Sequence, residues 1–146
     1  MAVPNRISII TLGVADLAAA TAFYESLGWR RSSSSVDAMT FISMQGSALG
    51  LYQWDSLADD AKVPSAGTGF RGVALALNCA SRDEVDAVFA EWVAAGGADV
   101  LAPHAAFWGG YSSYVADPDG HLWEIVHNPY ASNDADGRLV LGPPAD

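Results

Sequence analysis

The chain carries one cysteine, Cys79, in 146 residues. That excludes an internal disulfide and any zinc site built on several thiolates. Basic residues are scarce: seven Lys and Arg stand against seventeen Asp and Glu, for a formal net charge of −10. Nucleic-acid binders need basic patches to neutralise phosphate, so that partner class is excluded. No apolar run approaches the roughly 18 residues of a membrane span, and no membrane partner is read. The N-terminus has no basic segment followed by a long apolar stretch, so no signal peptide is read and a cytoplasmic location is the expectation. No Ser-His-Asp or Cys-His set is visible. Gly67, Gly69 and Gly72 precede a strand rather than follow one, the wrong order for a dinucleotide loop.

What is present is a folding chain: 51% of residues are apolar and only 16% charged. Ile7–Leu12 reads as a strand, and Asp16 stands at a helix N-cap. Leu17, Ala20, Tyr24 and Leu27 follow at helical spacing, and Gly28 ends the helix. Trp29–Ser34 reads as a weaker strand, and Val36–Met44 and Ser47–Gln53 as strands around Gln45-Gly46. A long connection from Trp54 to Thr68 carries a helical turn at Ser56–Ala61. Then the pattern restarts. Gly72–Leu77 alternates strictly, Ser81 to Glu84 is a capping box, and Val85, Val88, Phe89 and Trp92 form a helical stripe closed by Gly96-Gly97. A short strand at Val100–Ala102 leads to a loop holding His104, Phe107, Trp108 and Gly109-Gly110.

The stretch Tyr111 to Tyr130 reads as strand, tight turn, strand, with Asp117-Pro118-Asp119-Gly120 at the turn and Glu124 inside an otherwise apolar strand. A buried carboxylate without a partner is costly, so Glu124 is a solvent-facing residue, a paired residue or a site residue. The chain therefore reads β-α-β-β-β twice, with Ile9–Leu12 corresponding to Gly72–Leu75 and Gln45–Gly50 to Asp119–Glu124. The predicted fold class is α+β: two βαβββ modules forming a curved eight-stranded half-barrel around a cavity, with helices on the outer face. The modules fall at about residues 5–54 and 69–128 of a single domain spanning 1–130, followed by a C-terminal extension at 131–146.

Two stretches resemble the vicinal oxygen chelate superfamily of glyoxalase I, bleomycin-resistance proteins, extradiol dioxygenases and fosfomycin-resistance enzymes. They are Val14-Ala15-Asp16-Leu17 with Phe23–Gly28, and Asp117–Ile125. In metal-dependent relatives, equivalent strand positions of the two modules offer His or Glu to a divalent ion. The resemblance carries those positions onto Ile9, Gly50, Gly72 and Glu124, of which only Glu124 can ligate. Zinc, nickel or iron sites take about three or four protein ligands, so no metal and no cofactor are expected.

The resemblance then implies a small-molecule cavity. Strand alternation places Leu122 and Val126 with Glu124, and Ile7, Ile9 and Thr11 with Gly72, Ala74 and Ala76, on inward faces, leaving Trp123 and Ile125 in the core. Trp54, Phe107, Trp108 and Tyr111 are read as aromatic rim residues suited to a planar ligand, whereas a hydrophobic plug or dimer contact is the plainer reading. The expected ligand-binding set is Ile9, Thr11, Trp54, Gly72, Ala74, Phe107, Trp108, Tyr111, Leu122 and Glu124. Glu124 is held by hydrogen bonds to Thr11, Tyr111 or Tyr114, or acts as a general base in an apolar cavity, or pairs with a cationic ligand group. The functional expectation is metal-independent binding of a small planar or amphiphilic molecule, as in bleomycin-resistance and antibiotic-sequestering relatives. The alternative is a glyoxalase-like lyase or isomerase with Glu124 as catalytic base. A homodimer is expected, since open sheets expose strand edges that proteins cover or pair.

Overall fold

A computed structural model describes residues 5–143. The chain divides into two compact units, the first ending at Thr68 and the second starting at Gly69.

In the first unit, β1 (Ile9–Val14), β2 (Met39–Ser43) and β3 (Ala48–Gln53) form a sheet in the order β1-β3-β2. β1 runs parallel to β3 and β2 antiparallel to it. The helix α1 (Leu17–Ser26) starts where the sequence placed its cap: the Asp16 carboxylate accepts from the Ala19 N–H at 2.9 Å. Its inner side brings Ala20, Phe23 and Tyr24 into a core with Leu12, Val14, Ile42, Leu49 and Leu51. Burying a side chain of that size is worth roughly 1.5–3 kcal/mol, and this face holds the helix on the sheet. The two buried hydroxyls within it satisfy each other, Thr21 and Thr40 lying 2.8 Å apart, while Thr21 also donates to Leu17 O. A second helix, α2 (Trp54–Ala61), begins two residues earlier than the expected turn.

The strand expected at Trp29–Ser34 does not form; Arg31 makes only an isolated bridge to Ile42. The serines there bond the backbone locally. Ser34 N–H donates to Ser32 Oγ, Ser35 N–H to Ser32 O, and Ser35 Oγ accepts from Phe41 N–H. Such local bonds compete with a ladder. The first module therefore has three strands rather than four.

In the second unit, β4 (Ala74–Asn78), β5 (Ala98–Ala105), β6 (Tyr111–Ala116) and β7 (Leu122–His127) take the order β4-β7-β6-β5. β4 is parallel to β7, and the rest of the sheet is antiparallel. Both of these sheets thus place their first strand beside and parallel to their last, the shared topology of the internal repeat. The helix α3 (Arg82–Ala94) is capped by Ser81, which accepts from Glu84 N–H, while Glu84 reaches back to the Ala80 N–H. It packs Val85 and Trp92 on Val115, Trp123 and Ile125. The Trp92 and Trp123 rings lie 5.4 Å apart, and the Trp92 indole N–H finds Ala116 O at 3.1 Å.

The first-unit strand read at Ile7–Leu12 runs from Ile9 to Val14, and in the second unit β4 and β5 also differ from the sequence reading. Gly72 lies outside β4, at φ +75, a left-handed conformation that favours glycine, so the strand starts at Ala74. β5 runs well beyond Val100–Ala102 and contains His104. Its register slips between Asp99 and Leu101 and again between Leu101 and His104, which erased the alternation. Pro103 is tolerated because β5 is an edge strand. The C-terminal extension forms a small hairpin of β8 (Ser132–Asn133) and β9 (Leu139–Val140). Among the described residues no helix is long and apolar enough to cross a membrane.

Candidate functional site

Register sorts the second sheet into two faces. Cα partners across a ladder share a face. Ala76 pairs with Glu124, Glu124 with Tyr114, and Tyr114 with Leu101, giving one row across four strands. The row on one side is Ala74, Leu122, Ala116 and Ala98; on the other it is Asn78, Val126, Ser112 and His104. The opposite face carries Val115, Trp123 and Ile125, which α3 covers. Glu124 therefore sits mid-sheet on the face turned away from α3, half-buried between strands whose neighbouring side chains are mostly small or aliphatic.

Its carboxylate is held rather than stranded. Ser112 Oγ donates to Glu124 Oε1 at 2.7 Å, a charge-assisted bond from a hydroxyl that is itself buried. Tyr114 stands directly across the ladder. Its phenol is raised above its ordinary value of 10.0, by burial first and then by the charge of Glu124 and a hydrogen bond to it. The position of this carboxylate follows from local sequence. Asp117 Oδ1 accepts from both Asp119 and His121 N–H, and Gly120 takes φ +83, so the turn locks Ala116 opposite Leu122 and hence Tyr114 opposite Glu124.

The expected site residues divide between the units. Ala74, Leu122 and Glu124 come together on the face of the second sheet turned away from α3. Ile9 and Thr11 share the corresponding face of the first, with Gly50 and Phe41 across from Thr11. Trp54 covers the end of that face. Its ring lies over Gly13, where an added Cβ would come 3.0 Å from Trp54 Cε3, and its indole N–H donates to Ser65 O. Gly72, having no side chain and lying before the strand, contributes nothing to the face. Phe107 and Trp108 occupy the tip of the β5–β6 hairpin; Phe107 is fully exposed and the Trp108 ring lies across Gly110.

Tyr111 is on the other side. Its parity in β6 is opposite to that of Ser112, its hydroxyl donates to Asp86 on α3 at 2.8 Å, and the Arg82 guanidinium lies 5.2 Å over its ring. It clamps α3 to β6 and does not touch Glu124. Ser112 is the residue that sequence reasoning passed over as a partner for Glu124. The signal was available, since counting back from the turn places Ser112 and Tyr114 on the Glu124 face.

The four carried-over ligand positions need one revision. In the ladders Thr11 pairs with Gly50 and Ala76 with Glu124, so the residue equivalent to Ile9 is Ala74 rather than Gly72. Ile9, Gly50, Ala74 and Glu124 offer a single donor side chain. At Gly50 the space is also taken, since an added Cβ would lie 2.7 Å from Met39 Cε and 3.2 Å from Thr11 Oγ1. These residues do not fit a divalent transition metal. Cys79 is buried, and burial, with Glu84 second, pushes its thiol up to about 11, which disfavours the thiolate. A separate open groove of about 620 Å³ lies in the first unit between α1 and residues 31–40, and it contains no member of this set.

Solved structures share this fold. A glyoxalase-related enzyme from Fulvimarina pelagi is 36% identical, with a TM-score of 0.84 over 96% of this chain and 100% of that one. Lactoylglutathione lyase from Agrobacterium tumefaciens is 26% identical, with a TM-score of 0.64 over 86% of this chain and 95% of that one. A glyoxalase/bleomycin resistance protein/dioxygenase family enzyme from Burkholderia phytofirmans, at 19% identity and a TM-score of 0.74, covers 82% and 96% and shows likeness of fold alone. A comparison with curated proteins gave no match. A family model matches residues 6–125, and the chain belongs to the Glyoxalase/Bleomycin resistance protein/Dioxygenase superfamily.

Proposed function

We propose that the protein binds a small amphiphilic molecule with a planar, cationic head on the face of the second sheet turned away from α3, without a metal ion. The observation that carries this is Glu124: one carboxylate, oriented by Ser112, in a row with Ala76, Tyr114 and Leu101. A lone oriented charge in a mainly apolar surround suits a cationic group joined to an apolar body, with Tyr114 offering an aromatic face. The small side chains of Ala74 and Ala76 leave room above the sheet, and both are exposed. The net charge of −10 favours approach of a cation. The protein acts as a homodimer in this reading, because β4 and β5 are sheet edges of the second unit. Light scattering after size exclusion measures that directly.

Calorimetric titration with N-hexylpyridinium, a planar cation with an apolar tail, tests the binding reading. Saturable binding that persists in EDTA supports it, and no saturable heat across pyridinium and quinolinium cations counts against it. A second reading, a glyoxalase-like lyase or isomerase with Glu124 as general base, is favoured by the description of the 36%-identical relative as an enzyme. Turnover of lactoylglutathione that disappears in Glu124→Gln, with folding retained, would select this reading over simple binding.

A further inference from the structure

The tail after β7 is tied to the sheet by a paired-amide clasp. Asn78 Nδ2 donates to Asn133 Oδ1 at 2.8 Å, and Asn133 Nδ2 donates to the Asn78 carbonyl at 2.7 Å. The path into the clasp is also built. Asn128 N–H reaches Asn78 Oδ1 at 3.4 Å, and Asn128 Oδ1 accepts from Tyr130 N–H, turning the chain back across the end of β4. The hairpin beyond is made by the same turn chemistry as the β6–β7 turn. Asp134 Oδ1 accepts from Asp136 and Arg138 N–H, as Asp117 Oδ1 does from Asp119 and His121, and Gly137 takes φ +82 beside +83 at Gly120. A terminal segment with its own turn and a two-bond anchor is a docked element.

Its position bears on the Glu124 face. Asn78 pairs with Val126 in the row next to Glu124, on the same face. Asn133 pairs with Leu139, so Leu139 projects from the hairpin on the side that meets Asn78. Val126, the Asn78 partner in that row, is 7% exposed, as buried as Ser112 and Ala116 on the same face, while Leu139 is 47% exposed.

We infer that the C-terminal hairpin is a strap that walls the Asn78 end of the Glu124 face, and that Leu139 supplies apolar contact to the tail of the bound amphiphile. This rests on the binding reading above and adds a specificity element to it. The test has two arms, both on the full chain. In a Cys79→Ala background, the thiol introduced by Val126→Cys reports shielding without any ligand. Adding Asn133→Ala, or Asn133→Asp, which keeps the acceptor but loses the donor, should speed its alkylation by iodoacetamide at least tenfold. An unchanged rate in both overturns the strap. In the second arm, Leu139→Ser should lower the ratio of N-hexylpyridinium to N-methylpyridinium affinity at least threefold while leaving N-methylpyridinium binding unchanged. An unchanged ratio overturns the contact. No binding of either cation by the unsubstituted protein removes the ligand reading and the wall with it, while the alkylation rates still separate a docked strap from a loose tail.

Discussion

Glu124→Gln isolates the charge from the shape of the site. The amide is nearly isosteric, and its oxygen can still accept from Ser112, which lies 2.7 Å from Oε1. Stability should therefore change by less than about 1 kcal/mol. Cation affinity should change more. A unit pair about 4 Å apart at an effective dielectric of about 20 is worth about 4 kcal/mol. Glu124 is half-buried, not enclosed, and fully exposed pairs measure at most about 1 kcal/mol. The structure thus sets the loss between these limits, at about 1–2 kcal/mol, or roughly 5–30-fold in the Kd of N-hexylpyridinium. Calorimetry at low salt measures it. A salt series adds a second criterion, since raising ionic strength from ~0.05 to ~0.5 M should weaken binding to the unsubstituted chain more than binding to the variant. A variant that binds within twofold of the unsubstituted chain at low salt would refute the assignment of Glu124 as the anchoring charge.

Three further outcomes follow from the same geometry. Gly97→Ala should cost about 2–3 kcal/mol in denaturant melts, because a Cβ there would fall on the buried Trp92 indole and 2.8 Å from Ala116 O, disturbing the Trp92 hydrogen bond. Prolonged EDTA dialysis should leave both melting temperature and pyridinium affinity unchanged, and a drop restored by one divalent ion would contradict the donor count at Ile9, Gly50, Ala74 and Glu124. Stability should fall on the alkaline side. The fold raises the Cys79 thiol from 9.0 to about 11 and the Tyr114 phenol above 10.0, so the unfolded chain loses these protons first as pH rises. The associated stability is complete below the unfolded values and lost through and above them. Cys79→Ala with Tyr114→Phe should flatten the decline between about pH 8 and 11 in equilibrium melts.

Much of the architecture was legible because its signals are local. The Asp16 and Ser81 caps, the turn at Asp117–Gly120 and the restart of the pattern after Thr68 are all written in side chains a few residues apart. The failures also have physical causes. Trp29–Ser34 has strand-like composition at one end, but its serines bind their own backbone. β5 lost its alternation to two register slips. The tail read only as a surface extension, without its hairpin, because that hairpin is two residues deep on each side, yet Asp134-Ala135-Asp136-Gly137 repeats the turn that was recognised at Asp117.

By itself the sequence determined the paired modules, their helices and the single carboxylate at Glu124, because periodicity, caps and turns act over short separations. It also determined the poverty of metal donors, since a glycine or isoleucine cannot ligate wherever it is placed. Only the tertiary structure decided what surrounds that carboxylate. Pairing across β6, β7 and β4 brought Ser112 and Tyr114 to Glu124, turned Tyr111 toward Asp86, and replaced Gly72 by Ala74 as the partner position. Those outcomes depend on register between strands, where a shift of one residue exchanges the two faces of a sheet.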